Sequence, residues 1–117
     1  MAAPNVVAVA TITAKTAVLV VTASPLAIVE NPGASGKVFK VNALYIANVD
    51  GVTNYTVNVD LFRSSIAYRI AHLMSVPASS TVDVLSKSIY LEEGDTLRLT
   101  GSTTLKLEGV CSYEEIS

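Results

Sequence analysis

The stretch "ALYIANVDGVTNYTVNVDLF", Ala43 to Phe62, reads as two strands around a turn, and the way its faces are covered decides the fold. If Asp50-Gly51 formed a two-residue type I′ turn, Ala47 would face Asn54 and Tyr45 would face Thr56, mixing polar and apolar groups on one surface. A five-residue loop from Asp50 to Asn54 instead opposes Val49 with Tyr55, Ala47 with Val57, Tyr45 with Val59 and Ala43 with Leu61. That face is wholly apolar and rich in aromatic and β-branched pairs, so this register is the expected one. The reverse face then carries Leu44, Ile46 and Phe62 among Asn48, Thr56, Asn58 and Asp60. A solvated sheet face is mostly polar. Leu44, Ile46 and Phe62 are therefore the expected contact with another subunit.

The rest of the chain agrees with strands. Its 117 residues suit one domain spanning 1–117, with a core large enough to hold without staples. The chain has no Trp and two Phe, and it contains 17 Val, 7 Ile and 11 Thr, residues that favour pleated surfaces over helices. "TAVLVVTAS" is a continuous apolar run ended by Ser24-Pro25. "NVVAVATIT" alternates ahead of it, and "LAIVE" continues one of these strands. "NPGASG", Asn31 to Gly36, is the strongest loop signal. Ile66, Tyr68 and Ile70 recur at spacing two, which favours a strand that Pro77 ends. "TVDVLSKSIYL" and "TLRLTG" flank a turn at Glu92 to Asp95, and "LKLEGVCSYEEI" is a last long strand. These elements predict an all-β antiparallel sandwich or jelly roll of about seven to eight strands.

Charge and chemistry exclude several function classes. Charged residues make up 15% of the chain, against roughly 25% in typical soluble domains, and the formal charge is −2. Eight basic residues balanced by ten acids make no nucleic-acid footprint. The N-terminal apolar run has no basic flank, and Thr11, Thr13, Lys15 and Thr16 interrupt it, so neither a signal peptide nor a membrane span is expected and synthesis is expected to be intracellular. Cys111, the single cysteine, has no internal partner and falls on an apolar alternation as a small core residue. His72, the single histidine, lacks a nucleophile elbow or an orienting acid at recognisable spacing, and is read as a surface or interface residue. Glu92-Glu93 and Glu114-Glu115 are neighbours whose side chains diverge on a strand. Glu92, Glu93 and Asp95 lack the 12-residue pattern of a calcium loop. No enzyme activity, metal or cofactor is expected.

From Gly36 onward, the order "GKVFKVNALYIANVDG", "YTVNVDLF", "IAYRIAHLMSVPASSTVDVLSKSIYLEEGDTLRLTGS" and "LEGVCSYEEIS" resembles small structural proteins of tailed bacteriophages, including marine and cyanobacterial phages. The shared features are an N-x-D-G turn, a VPA-S segment, an L-x-x-GD-x-L hairpin and a closing Y-x-EI. The resemblance covers about the last two-thirds of the chain. It implies a non-enzymatic virion component, either a head decoration or cement protein or a neck, collar, tail-accessory or fibre-base protein. Its implied partners are further copies of itself in a homo-oligomer and other virion proteins of the capsid, portal, neck or tail, with no nucleic acid and no membrane. The alternative is a carbohydrate- or receptor-binding sandwich, which needs exposed aromatic platforms that five Tyr and two Phe supply sparingly.

Overall fold

The computed structural model describes residues 11–117. Nine strands follow one another: β1 (Ile12–Val20), β2 (Leu26–Glu30), β3 (Val38–Asn48), β4 (Tyr55–Arg63), β5 (Ile66–Val76), β6 (Thr81–Asp83), β7 (Ile89–Leu91), β8 (Thr96–Gly101) and β9 (Leu107–Ile116). They form two sheets packed face to face, in the order β1-β9-β3-β6, with β7 also on β3, and β2-β8-β4-β5. All pairings are antiparallel. The expected all-β sandwich is the observed architecture.

The pairings are nested. β4 pairs with β5, β3 with β6 and β7, β2 with β8, and β1 with β9. One long two-stranded ribbon is thereby rolled on itself, and rolling adds the β3–β9 and β4–β8 ladders that complete each sheet. This is the jelly-roll arrangement. "LAIVE" does not continue β1: the chain crosses at Val21 to Pro25 and Leu26–Glu30 enters the second sheet as β2. The expected strand over "NVVAVATIT" falls mostly on residues 5–10, outside the described residues.

The central hairpin expectation is corrected. Asp50 to Asn54 is a loop, as expected, but β3 and β4 do not pair, because they lie in different sheets and the loop is a crossover between them. β4 buries the expected face, with Val57 and Val59 in the core and Leu61 packed against it. β3 buries the opposite one. Leu44 and Ile46 are each 0% exposed, and Tyr45 is 44% exposed. Both faces of β3 are apolar, so strand period alone cannot tell them apart. A bulge between Val41 and Ala43 changes the phase and turns Phe39, Val41, Leu44 and Ile46 all toward the second sheet.

The core is aliphatic, with Leu44, Ile46, Leu91, Leu107 and Cys111 of the first sheet against Ile28, Val57, Val59, Leu97 and Leu99 of the second. Small residues let the sheets approach. A Cβ on Gly109 of the first sheet would meet Leu99 Cδ1 of the second at 2.7 Å. Two buried asparagines are tied to backbone. Asn31 Nδ2 donates to the carbonyls of Lys37 (2.9 Å) and Leu91 (3.0 Å), fixing the Asn31–Gly36 loop. Asn48 Nδ2 donates to Thr53 and Val76 at 2.9 Å each, fixing the crossover. Each side chain thus donates to two backbone carbonyls.

Candidate assembly surfaces

The residues expected at an interface do not share an exposed surface. Leu44 and Ile46 lie between the sheets and reach no other molecule in this fold. Phe62 is on the outer face of the second sheet, as expected, but the Arg98 guanidinium lies 3.9 Å from its ring centroid and covers it. Arg98 sits there because β8 pairs with β4 in a register that places it beside Asp60. Its Nε donates to Asp60 Oδ1 at 2.9 Å, while Arg69 Nη1 stands 3.6 Å from Oδ2 on the other side. The Asp60 side chain is 1% exposed, so two arginines and a phenylalanine wrap a carboxylate on what would otherwise be an open sheet face.

Apolar side chains are exposed elsewhere among the described residues, and two strand regions concentrate them. On the outer face of the first sheet, Val18 pairs with Val110 and Val110 with Tyr45, one row across three strands. Their exposures are 75%, 39% and 44%, while Ala17 and Leu19, on either side of Val18, pack on the core. Here a groove of about 390 Å³ is lined by Val18, Leu19, Val20, Glu108, Gly109 and Val110. The sequence carried a signal for it: a run such as "AVLVV" is apolar on both faces of its strand, and one of those faces must point outward.

The second place is the β4–β5 hairpin tip. Ser64 and Ser65 make the turn with φ of 52° and 63°, the double left-handed geometry of a type I′ turn without its usual Asn or Gly. Ile66 to Ile70 are all exposed, so the tip extends past the cover of the first sheet. Tyr68 pairs with Leu61 and is 52% exposed, and Ile66 and Ile70 are 52% and 36% exposed. Farther along β5, a bulge puts Leu73 at φ 51° and 59% exposure, its amide donating to Asn58 Oδ1 at 2.7 Å.

The ionisable groups are engaged in structure. Arg63 Nε donates to Asp95 Oδ1 at 2.7 Å and its Nη2 reaches Glu92 at 2.9 Å, and the Glu92 amide donates to Asp95 Oδ2 at 2.8 Å. Burial alone would raise the Asp95 carboxyl, but the Arg63 hydrogen bonds and the Glu92 amide outweigh it and hold the group below its ordinary range. Lys15 and Lys37 both pair with Glu115, at 2.9 and 3.1 Å, and lower it, Lys15 first. Glu114 turns away to Asn42, as the divergence of neighbours on a strand requires. Desolvation pushes the Cys111 thiol up to about 12, in the core position expected of it. His72 is exposed on β5. Among the described residues no cluster of three metal-ligating side chains occurs, and no helix is long and apolar enough to cross a membrane.

No family profile and no curated protein matches the sequence. Solved structures do match in fold. A subunit of Bacillus endospore appendages, described as a novel family of disulfide-linked pili, superposes with a TM-score of 0.54 at 14% identity, over 92% of this chain and 88% of that one. A chain from the acidic stable capsid of Helicobacter pylori bacteriophage KHP30 superposes with a TM-score of 0.57 at 8% identity, over 94% and 90%. At these identities the likeness is one of fold. Both neighbours are components of multi-subunit assemblies.

Proposed function

We propose that this protein is a non-enzymatic structural subunit of a self-assembling particle, specifically a virion component of a tailed bacteriophage, in the head as a decoration or cement protein or in the neck or tail. The observation that carries the reading is the exposed Val18–Val110–Tyr45 row, a contiguous apolar strip on a sheet whose other face already fills the core. Soluble monomers rarely leave such a strip bare, and symmetric assembly is the ordinary way to cover it. The phage-like strand and turn order of the sequence supports the virion setting, and the fold shared with a pilus subunit and a phage capsid chain is compatible with it. The ionisable clusters neutralise buried charge and offer no nucleophile, base and orienting group together.

Sedimentation of the purified protein across a dilution series tests self-assembly, and mass spectrometry of virions counting copies per particle tests the setting. A protein that stays monomeric throughout and is absent from particles would sink the proposal. A glycan-binding reading draws on Tyr45, Tyr68 and Tyr90, exposed by 44%, 52% and 47%. Tyr45 pairs with Asp83, whereas Tyr90 pairs with Lys40 five residues away along β3, so no shared platform forms. Binding on a glycan array abolished by one of these tyrosines would favour that reading instead.

A further inference from the structure

We infer that two copies of this chain join edge to edge through β1, the strands pairing antiparallel about a two-fold axis at Thr16, so that the first sheets of both copies continue as one. This contact rests on the structural-subunit reading above and names the surface it uses. The other sheet edges among the described residues are blunted against strand addition. β6 and β7 share one edge as pieces of three residues each. β2 has five residues and a bulge between Ala27 and Val29. β5 is longer, but its register with β4 shifts twice and Leu73 holds a φ of 51°. β1 runs for nine residues in unbroken register with β9, without proline, and carries one charged side chain, Lys15.

The ladder with β9 fixes which backbone groups of β1 stay open. Thr11 and Ser117 exchange both backbone hydrogen bonds at 2.9 Å, and the Val21 amide donates to the Leu107 carbonyl at 2.8 Å. An antiparallel ladder alternates, so Thr13, Lys15, Ala17 and Leu19 also turn N–H and C=O toward β9. Ile12, Ala14, Thr16, Val18 and Val20 turn theirs outward, where no described strand pairs with them. Self-complementarity selects a second copy as the occupant. Antiparallel pairing centred on Thr16 sets Ile12 opposite Val20, Ala14 opposite Val18 and Thr16 opposite Thr16, the one antiparallel register of two β1 strands that pairs every outward residue. In it Val18, 75% exposed, lies beside a small alanine, and Ile12 at 56% meets Val20 at 44%, a β-branched pair at each end. Lys15 falls opposite Ala17 rather than another lysine, and Glu115 of its own chain already holds it at 2.9 Å, so the edge calls for no acidic partner. The contact is isologous and closes at two copies.

Cysteine cross-linking reads this directly, because facing Cα atoms of a hydrogen-bonded antiparallel pair stand about 5.5 Å apart, within disulfide reach, and Cys111 is fully buried. Thr16→Cys in the full-length chain gives a disulfide-linked dimer on oxidation. Val20→Cys alone gives none, since its two copies lie about 27 Å apart along the pair, while a mixture of Val20→Cys and Ile12→Cys chains does link. Thr16→Pro removes an outward N–H and none that β9 uses, so it raises the assembly midpoint by tenfold or more without changing the circular dichroism. Self-linking of Val20→Cys would mean another register or direction and overturn the contact. If wild-type protein assembles across a dilution series but Thr16→Cys stays unlinked, as it would with a different partner strand on this edge, the contact is wrong and the subunit reading stands. If wild-type protein never assembles, both fall.

Discussion

Gly109 of β9 and Leu99 of β8 face each other across the two sheets so closely that a methyl group on Gly109 would lie 2.7 Å from Leu99 Cδ1 and 3.3 Å from Ile28 Cδ1. The glycine holds the sheets at their spacing over the middle of the core. Gly109→Ala forces two packed side chains off their rotamers, and the expected loss is about 1 to 3 kcal/mol. Urea unfolding measures it. A variant as stable as the wild type would show that the sheets slide apart at no cost.

Ile46 and Tyr45 are neighbours with opposite fates. Ile46→Lys places an ammonium where exposure is 0% and no acid pairs with it, so the fold itself should fail, with a loss of more than about 4 kcal/mol. Tyr45→Lys, on the outer face, should leave unfolding within about 1 kcal/mol of wild type and act on assembly alone. Circular dichroism of the two variants separates these outcomes.

The Arg63–Asp95 pair makes stability depend on acid. Asp95 has a folded pKa below its ordinary 3.8, so its contribution is fully present above that value and is lost as pH falls through the folded pKa. Arg63→Gln leaves a carboxylate with 2% exposure short of its counter-ion. Because Arg63 is itself 42% exposed and screened, the expected loss near neutral pH is about 1 to 3 kcal/mol. Without Arg63 the Asp95 pKa moves up, so the variant should lose less than the wild type on going from pH 5 to pH 3. Thermal melts at the two pH values check the sign.

Cys111 should ignore thiol reagents while the protein is folded, its exposure being 0% and its pKa raised to about 12. Labelling should appear only with denaturant and follow the unfolding transition. Cys111→Ser buries a hydroxyl among aliphatic neighbours at an expected loss of about 1 to 3 kcal/mol.

Leu73 holds a left-handed backbone that costs a leucine on the order of 1 kcal/mol. Leu73→Asn suits that geometry better and should raise the unfolding midpoint slightly. If Leu73 also touches a neighbouring subunit, the same change weakens assembly, and sedimentation beside a thermal melt distinguishes the two effects.

The element types were legible in the sequence because Val, Ile and Thr alternate between strong punctuation. Pro77 ends β5, Gly94 with φ 87° makes the Glu92–Asp95 turn, and Asn31 to Gly36 is a loop. Partnership was not legible. Joining β3 to β4 by a hairpin satisfies every local pattern from Ala43 to Phe62, and only contacts of β3 with β9 and of β4 with β8, at least 59 and 34 residues away, show that the two strands part into separate sheets. That inversion hid the exposed face of β3 and put Leu44 and Ile46 on the wrong side. The turn at Ser64-Ser65 escaped for a different reason, since serine carries little preference for the left-handed backbone it adopts there. The cover over Phe62 depends on Arg98, which no period within β4 can anticipate.

The nested ladders also set an order of events for a chain finding its structure. β4 and β5 are joined by two residues and can zip at once, while Val20 must find Glu108, its partner 88 positions along the chain. Each inner ladder, once formed, shortens the effective loop that the next must close, so the ribbon grows outward from Ser64-Ser65 rather than by chance meeting of distant strands. Until β9 has been synthesised, β1 and β3 both lack the strand that lies between them, and their apolar faces stay uncovered. The hairpin that zips first is also the one whose tip stays exposed in the finished molecule, so a substitution at Ile66 or Tyr68 reaches the rate of folding while leaving the packed core untouched.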